Sequence, residues 1–73
     1  EADMMVQADG QWQVEGKHQN RESLLAALPA PDENAPLKIA ADQSLTMANL
    51  EDLLRILEEG GYSEVLLLTE PAT

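Results

Sequence analysis

Seventy-three residues carry 14 carboxylates against four Lys and Arg, a net charge of −10, with 44% hydrophobic residues and no cysteine. That is the composition of one small folded domain, marginally stable unless tethered or oligomeric. It excludes disulfides and Cys-ligated metals, offers no basic stripe for nucleic acid or an anionic membrane surface, and holds no apolar run near the ~18 residues of a membrane span.

Trp12 and Tyr62 are the only aromatics, and the core is therefore aliphatic, with twelve leucines to build it. The acid is uneven. Residues 42–73 hold seven carboxylates against Arg55 alone, and residues 1–16 add four with no base. Such a surface favours basic partners or keeps the domain soluble, and solubility is the plainer reading. The first residue is Glu1 and not Met, so the chain reads as an excised domain or a processed product.

Residues 3–15 read as a β-hairpin. Asp9-Gly10 is the signature of a two-residue turn, but that loop would pair Val6 with Gln13 and mix core and solvent faces. A three-residue loop, Ala8-Asp9-Gly10 with Gly10 left-handed, pairs Val6 with Trp12 and Met4 with Val14. Met5, Gln7, Gln11, Gln13 and Glu15 then share the wetter face. A second bend is expected at Glu15-Gly16, and Lys17-His18-Gln19 is either a short third strand or a connector, closing a hairpin region at 3–19.

Asn20 is a suitable N-cap for a helix over Arg21–Leu28, with Leu24, Leu25 and Leu28 as its apolar stripe and Pro29 as its stop. Residues 29–36, with three prolines, read as an extended, solvated linker. Leu37–Glu70 then forms a βαβ unit. Leu37, Ile39 and Ala41 share one face of its first strand, and Asp42-Gln43-Ser44 turns the chain. Thr46 caps a helix whose stripe is Met47, Leu50, Leu53, Leu54 and Leu57, with Leu45 stapled against Leu50. Glu51 and Arg55 stand at i,i+4. Gly60 or Gly61 supplies the left-handed stop, and Tyr62-Ser63 leads into the last strand. In that strand Val65, Leu67 and Thr69 face the helices, leaving Leu66 and Leu68 on the other side. Right-handed crossovers place both helices on one face. The fold expected is α+β, a two-layer ββαβαβ sandwich with a mixed sheet of four to five strands and two helices on one face.

No catalytic constellation emerges. Asp42, at a strand-to-helix turn, reads as an acceptor of local backbone N–H groups. His18 is the only histidine and lies in a polar stretch, and Ser23, Ser44 and Ser63 have no nucleophile context. Gly60-Gly61 follows a helix, so it is a cap and not a phosphate loop. Neither a catalytic group, a cofactor site nor a metal site is assigned. Leu66 and Leu68, with Val65 and Tyr62 beside them, are the interface candidates; simple strand burial is the plain alternative for the two leucines. Gly10, Asp42 and Gly61 are read as turn-formers.

The chain resembles the C-terminal periplasmic domain of the ExbD/TolR family of proton-channel accessory proteins. The resemblance lies in Val6-Gln7-Ala8-Asp9-Gly10 before a strand, Ala41-Asp42 ending a strand, the Gln43-Ser44-Leu45 step, a Leu-rich helix, Gly61-Tyr62, and a strand running into Thr69-Glu70. It departs where Met47 and Gly60 stand, positions at which the family commonly has an aromatic and a bulkier residue. The resemblance implies the periplasmic part of a bacterial inner-membrane complex driven by the proton motive force, non-enzymatic and without cofactors. Implied partners are a second copy, a TonB-like or TolA-like energy-transmitting protein, an ExbB/TolQ-like channel protein through a membrane helix with a functional aspartate, and peptidoglycan in the TolR branch. That helix has no counterpart in residues 1–73. A peptidoglycan-binding module, or a small soluble regulatory domain with no anchor, is the alternative reading.

Overall fold

A computed structural model describes residues 2–70 of the chain. The hairpin joins β1 (Met4–Val6) to β2 (Trp12–Val14) in the register that side-chain parity requires, Val6 opposite Trp12 and Met5 opposite Gln13. The Gln7 N–H donates to the Gln11 carbonyl across the loop, and Gly10 takes a positive φ of 87°. A two-residue turn follows, with Glu15 at φ 52° and Gly16 at φ 80°, the pattern of a type I′ turn. It returns the chain as β3 (Lys17–Gln19), antiparallel to β2. Among the described residues the sheet therefore has five strands.

Helix α1 (Arg21–Ala27) starts with a reciprocal cap. Asn20 accepts from the Glu22 and Ser23 N–H groups, and the Ser23 hydroxyl accepts from the Asn20 N–H. Leu28 lies just past the helix and is buried. The 29–36 connection is not simply extended. Asp32 accepts from the Asn34 N–H on its side chain and from the Ala35 N–H on its carbonyl, which folds 32–35 into a tight turn.

The chain re-enters as β4 (Leu37–Asp42), parallel to β1, and after α2 (Met47–Glu59) it runs as β5 (Val65–Glu70), parallel to β4. The strand order is β3-β2-β1-β4-β5. Thr46 caps α2 by accepting from the Asn49 N–H. At the other end the Gly61 N–H donates to the Glu58 carbonyl and the Tyr62 N–H to the Leu57 carbonyl, with Gly61 at φ 96°. These two bonds make a complete Schellman stop, and its usual apolar contact is present because Tyr62 and Leu57 share the core.

One core lies between the sheet and both helices. Met4, Val6, Val14, Leu37 and Ile39 come from the strands, Leu24 and Leu28 from the first helical segment, and Leu53, Ile56, Leu57 and Tyr62 from the second. The buried arc of α2 differs from the expected stripe. At ~100° per residue, it is centred near Leu53 and turned toward Ile56, so Met47 and Leu54 fall on the far flank, and Met47 is 67% exposed. The ion pairs differ too. Arg55 lies 3.9 Å from Asp52, one turn away, and Asp52 is itself held at 3.0 Å by Arg21 of α1, whereas no Glu51–Arg55 pair forms among the described residues. Arg55 turns to its i,i+3 neighbour and not its i,i+4 one, and on the exposed surface either pair contributes under about 1 kcal/mol.

Candidate interaction surfaces

The sheet has two edges of unequal character. β3 is three residues long and carries Lys17 and His18, both exposed, which blunts it against further pairing. β5 is six residues of sequence VLLLTE, with no Lys or Pro. In its parallel pairing with β4, the Leu37 N–H donates to the Glu64 carbonyl at 3.0 Å. By the alternation of such a ladder, the backbone groups of Val65, Leu67 and Thr69 point away from β4, to the free edge.

The same three residues face the helix side of the sheet, as their register opposite Leu37, Ile39 and Ala41 dictates. The helices do not fully cover them. Between α2 and β5 lies a groove of about 570 Å³ lined by Leu50, Leu54, Val65 and Leu67, with Glu58, Tyr62 and Ser63 also contributing. Leu54 and Leu67 are both exposed there. A strand laid along β5 would send alternate side chains into this groove, where Glu58 presents negative charge.

Among the described residues, the opposite face of the sheet carries no helix. Pairings Met5↔Ala40 and Ala40↔Leu68 set a short apolar row across β1, β4 and β5, which Gln13 ends on the β2 side, and Lys38↔Leu66 places Leu66 beside it. Met5 is 43% and Leu66 46% exposed; Leu68 is half-buried. The expected placement of Leu66 and Leu68 away from the helices holds.

Tyr62 does not belong to that surface. It is buried in the core, with its hydroxyl donating to the Pro29 carbonyl, so it pins the connection after α1 to the end of α2. Burial, with the Asp3 charge as a smaller second cause, raises its pKa above the usual phenol value. The sequence marks Tyr62 as amphipathic, and only the fold shows that its partner is a backbone carbonyl 33 residues away. Val65 is half-buried at the groove.

Asp42 is a turn-former. Its Oδ1 accepts from the Ser44 hydroxyl at 2.6 Å and the Ser44 N–H at 2.8 Å, and those bonds, hydroxyl first, hold its pKa below the usual carboxylate value although it is exposed. His18 stands exposed on the short edge. Met5 and Leu54 are the surface residues that sequence patterning passed over. Met5 had the signal of an apolar residue on the wet face of a hairpin, and Leu54 that of an apolar arc wider than one core contact needs.

No known family model and no curated protein sequence matches the chain.

Proposed function

We propose that this domain is an interaction module of the ExbD/TolR type, the periplasmic part of an inner-membrane complex that couples the proton motive force to outer-membrane transport or envelope maintenance. It works through surfaces and not through catalysis. The observation that carries this reading is the unguarded β5 edge beside an apolar groove, within an order of elements that matches the resemblance from the opening hairpin to Thr69-Glu70. The module captures an extended segment of its energy-transmitting partner by strand addition on β5, a mode in which backbone hydrogen bonds supply affinity and alternate side chains supply specificity. The segment that fits has apolar residues at alternate positions and a Lys or Arg beside them, because the groove is leucine-lined and carries the Glu58 carboxylate. The module also pairs with a second copy of itself.

The test is an amide NMR titration of the domain with the periplasmic segment of the TonB-like or TolA-like protein from the same genome. Expected shifts centre on the amides of Val65, Leu67 and Thr69. Thr69→Pro removes one edge donor at a position where an edge strand tolerates proline, and is expected to weaken binding by about tenfold with the fold intact. Shifts that avoid β5 with both segments overturn strand addition, and binding of neither segment overturns the partner. The gene upstream of Glu1 is expected to encode one apolar span of about twenty residues containing an Asp, and its absence would count against the family reading.

A further inference from the structure

A cleft of about 230 Å³ opens at the N-terminal ends of the parallel strands, and Tyr62 is a wall it shares with the β5 groove. Leu37 and Tyr62, both buried, line it from within, and Pro29 and Pro36 add two more rings. Asp3, half-buried, and Asp32, exposed, supply two carboxylates, and among the described residues no Lys, Arg or His lines it. Its polar groups are one-sided. The N–H groups of Asp3, Ala35, Leu37 and Tyr62 are spent on the carbonyls of Lys38, Asp32, Glu64 and Leu57, and the two prolines have none. Tyr62, only 8% exposed, has given its one proton to the Pro29 carbonyl, so its phenol oxygen retains lone pairs alone. Asp3 uses Oδ2 on the Lys38 N–H and Asp32 uses Oδ1 on the Asn34 N–H, both at 2.9 Å. Each carboxylate is thereby held in place, and its second oxygen has no hydrogen-bond or ion-pair partner among the described residues. The Asp3 charge is felt at the Tyr62 phenol, so carboxylate and ring border one space.

A ligand that complements this lining brings donors, positive charge and an alkyl body. The volume lies below the ~300–1,000 Å³ of a small-molecule pocket and suits one long side chain. We infer that the cleft receives a lysine or arginine side chain of an extended protein segment, its stem against Tyr62, Pro29 and Pro36 and its cationic head between Asp3 and Asp32. A long basic side chain is built for such a place, because its methylenes cover apolar rings while its head stays at the polar mouth. The inference rests on the proposed capture of a segment by β5 and gives that segment a second anchor. Val65, which lines the groove, pairs with Leu37, which lines the cleft, so a chain running off the start of β5 arrives beside Tyr62. A net charge of −10 draws a basic segment toward the domain, and the cleft fixes where one of its charges is read.

Amide NMR titration with N-acetyl-arginine methylamide tests the cleft apart from β5. Saturable shifts are expected at the amides of Asp3, Ala30, Asp32 and Tyr62, with half-saturation at about 1–10 mM. The citrulline analogue has the same shape without the charge and is expected to bind at least ~fivefold more weakly. Asp3→Asn and Asp32→Asn keep an oxygen for the Lys38 and Asn34 N–H groups, and each is expected to weaken the arginine probe about three- to tenfold. Asp52→Asn removes the same charge from α2 and is expected to leave the affinity within about twofold. Equal losses in all three variants, or equal binding of citrulline, overturn the cation site, as does a failure to saturate by about 50 mM. The segment used in the β5 titration decides the source of the side chain. Shifts at both the β5 and the cleft amides, with the cleft shifts lost when Lys and Arg of the segment are replaced by Gln, support the shared anchor. Shifts on β5 alone overturn the second anchor and leave strand addition standing. Shifts at the cleft alone overturn strand addition and leave the cleft.

Discussion

Gly60 at the C-terminus of α2 and Leu25 on α1 share one space: a Cβ on Gly60 would lie 2.7 Å from one Leu25 methyl carbon and 3.0 Å from the other. Gly60 has an ordinary φ of −82°, so close approach of the two helical segments, and not backbone conformation, calls for a glycine here. The opposing atoms are the ends of a flexible side chain, which sets a moderate cost. Gly60→Ala is expected to destabilise by about 1–2 kcal/mol. Leu25→Ala opens room, so the double variant should be more stable than the sum of the single effects allows, by at least ~0.5 kcal/mol. Urea unfolding of the four proteins measures this, and strict additivity would remove the shared-space account.

Glu15 is the one non-glycine residue at positive φ among those described, in the first central position of the β2–β3 turn. L-residues with a branched-out Cβ pay roughly 1 kcal/mol for that region, and Asn pays least after Gly. Glu15→Asn is expected to raise stability by about 0.5–1 kcal/mol. Glu15→Gln removes the same charge without the backbone benefit and should give clearly less. Equal gains from the two would assign the effect to charge.

Tyr62 gives the fold an alkaline limit. Its folded pKa lies above the unfolded value of about 10, so the neutral phenol is favoured in the folded state. That contribution is complete below the unfolded pKa and is lost as pH rises through the raised folded value. Stability followed by thermal melting should therefore fall beyond about pH 10. Tyr62→Phe should flatten that limb, and should cost about 0.5–1.5 kcal/mol at neutral pH by leaving the Pro29 carbonyl without its donor.

Leu53 and Met47 lie on the same helix with opposite expectations. Leu53 is fully buried, and Leu53→Ala should cost about 2–5 kcal/mol. Against the ~4–10 kcal/mol available to a domain of this size, that populates the unfolded state measurably. Met47 is exposed in the first turn, and Met47→Ala should change stability by less than about 0.5 kcal/mol. A large loss at Met47 would return it to the core.

Local rules were legible and docking angles were not. The hairpin register follows from parity at Val6 and Trp12, and the caps at Asn20, Thr46 and Gly61 follow from backbone groups that each helix end leaves unpaired. Which residues of α2 meet the core, here Leu53, Ile56 and Leu57, depends on how the helix is rolled against the sheet, and an apolar arc running from Met47 to Ile56 does not encode that roll. The same is true of Asp52, whose partner Arg21 is 31 residues distant, and of the turn at Asp32–Ala35, hidden in a proline-rich stretch that reads as featureless. For the surfaces, the outward direction of Leu66 and Leu68 was readable from strand alternation. The groove beside β5 was not, since it exists only because α2 leaves Leu54 and Leu67 partly uncovered.

The central position of β1 has a kinetic consequence. Its hairpin partner lies a few residues away, whereas its parallel partner β4 joins at a separation of 35 residues, Met4 against Ile39. The β1–β2–β3 meander can form locally within microseconds, but it exposes the inner edge of β1 until the first helix and the proline-rich connection have delivered β4. The rate of folding is then governed by closure of that one long loop. Substitutions at Ile39 should slow refolding, while those at the β2–β3 turn should act mainly on unfolding.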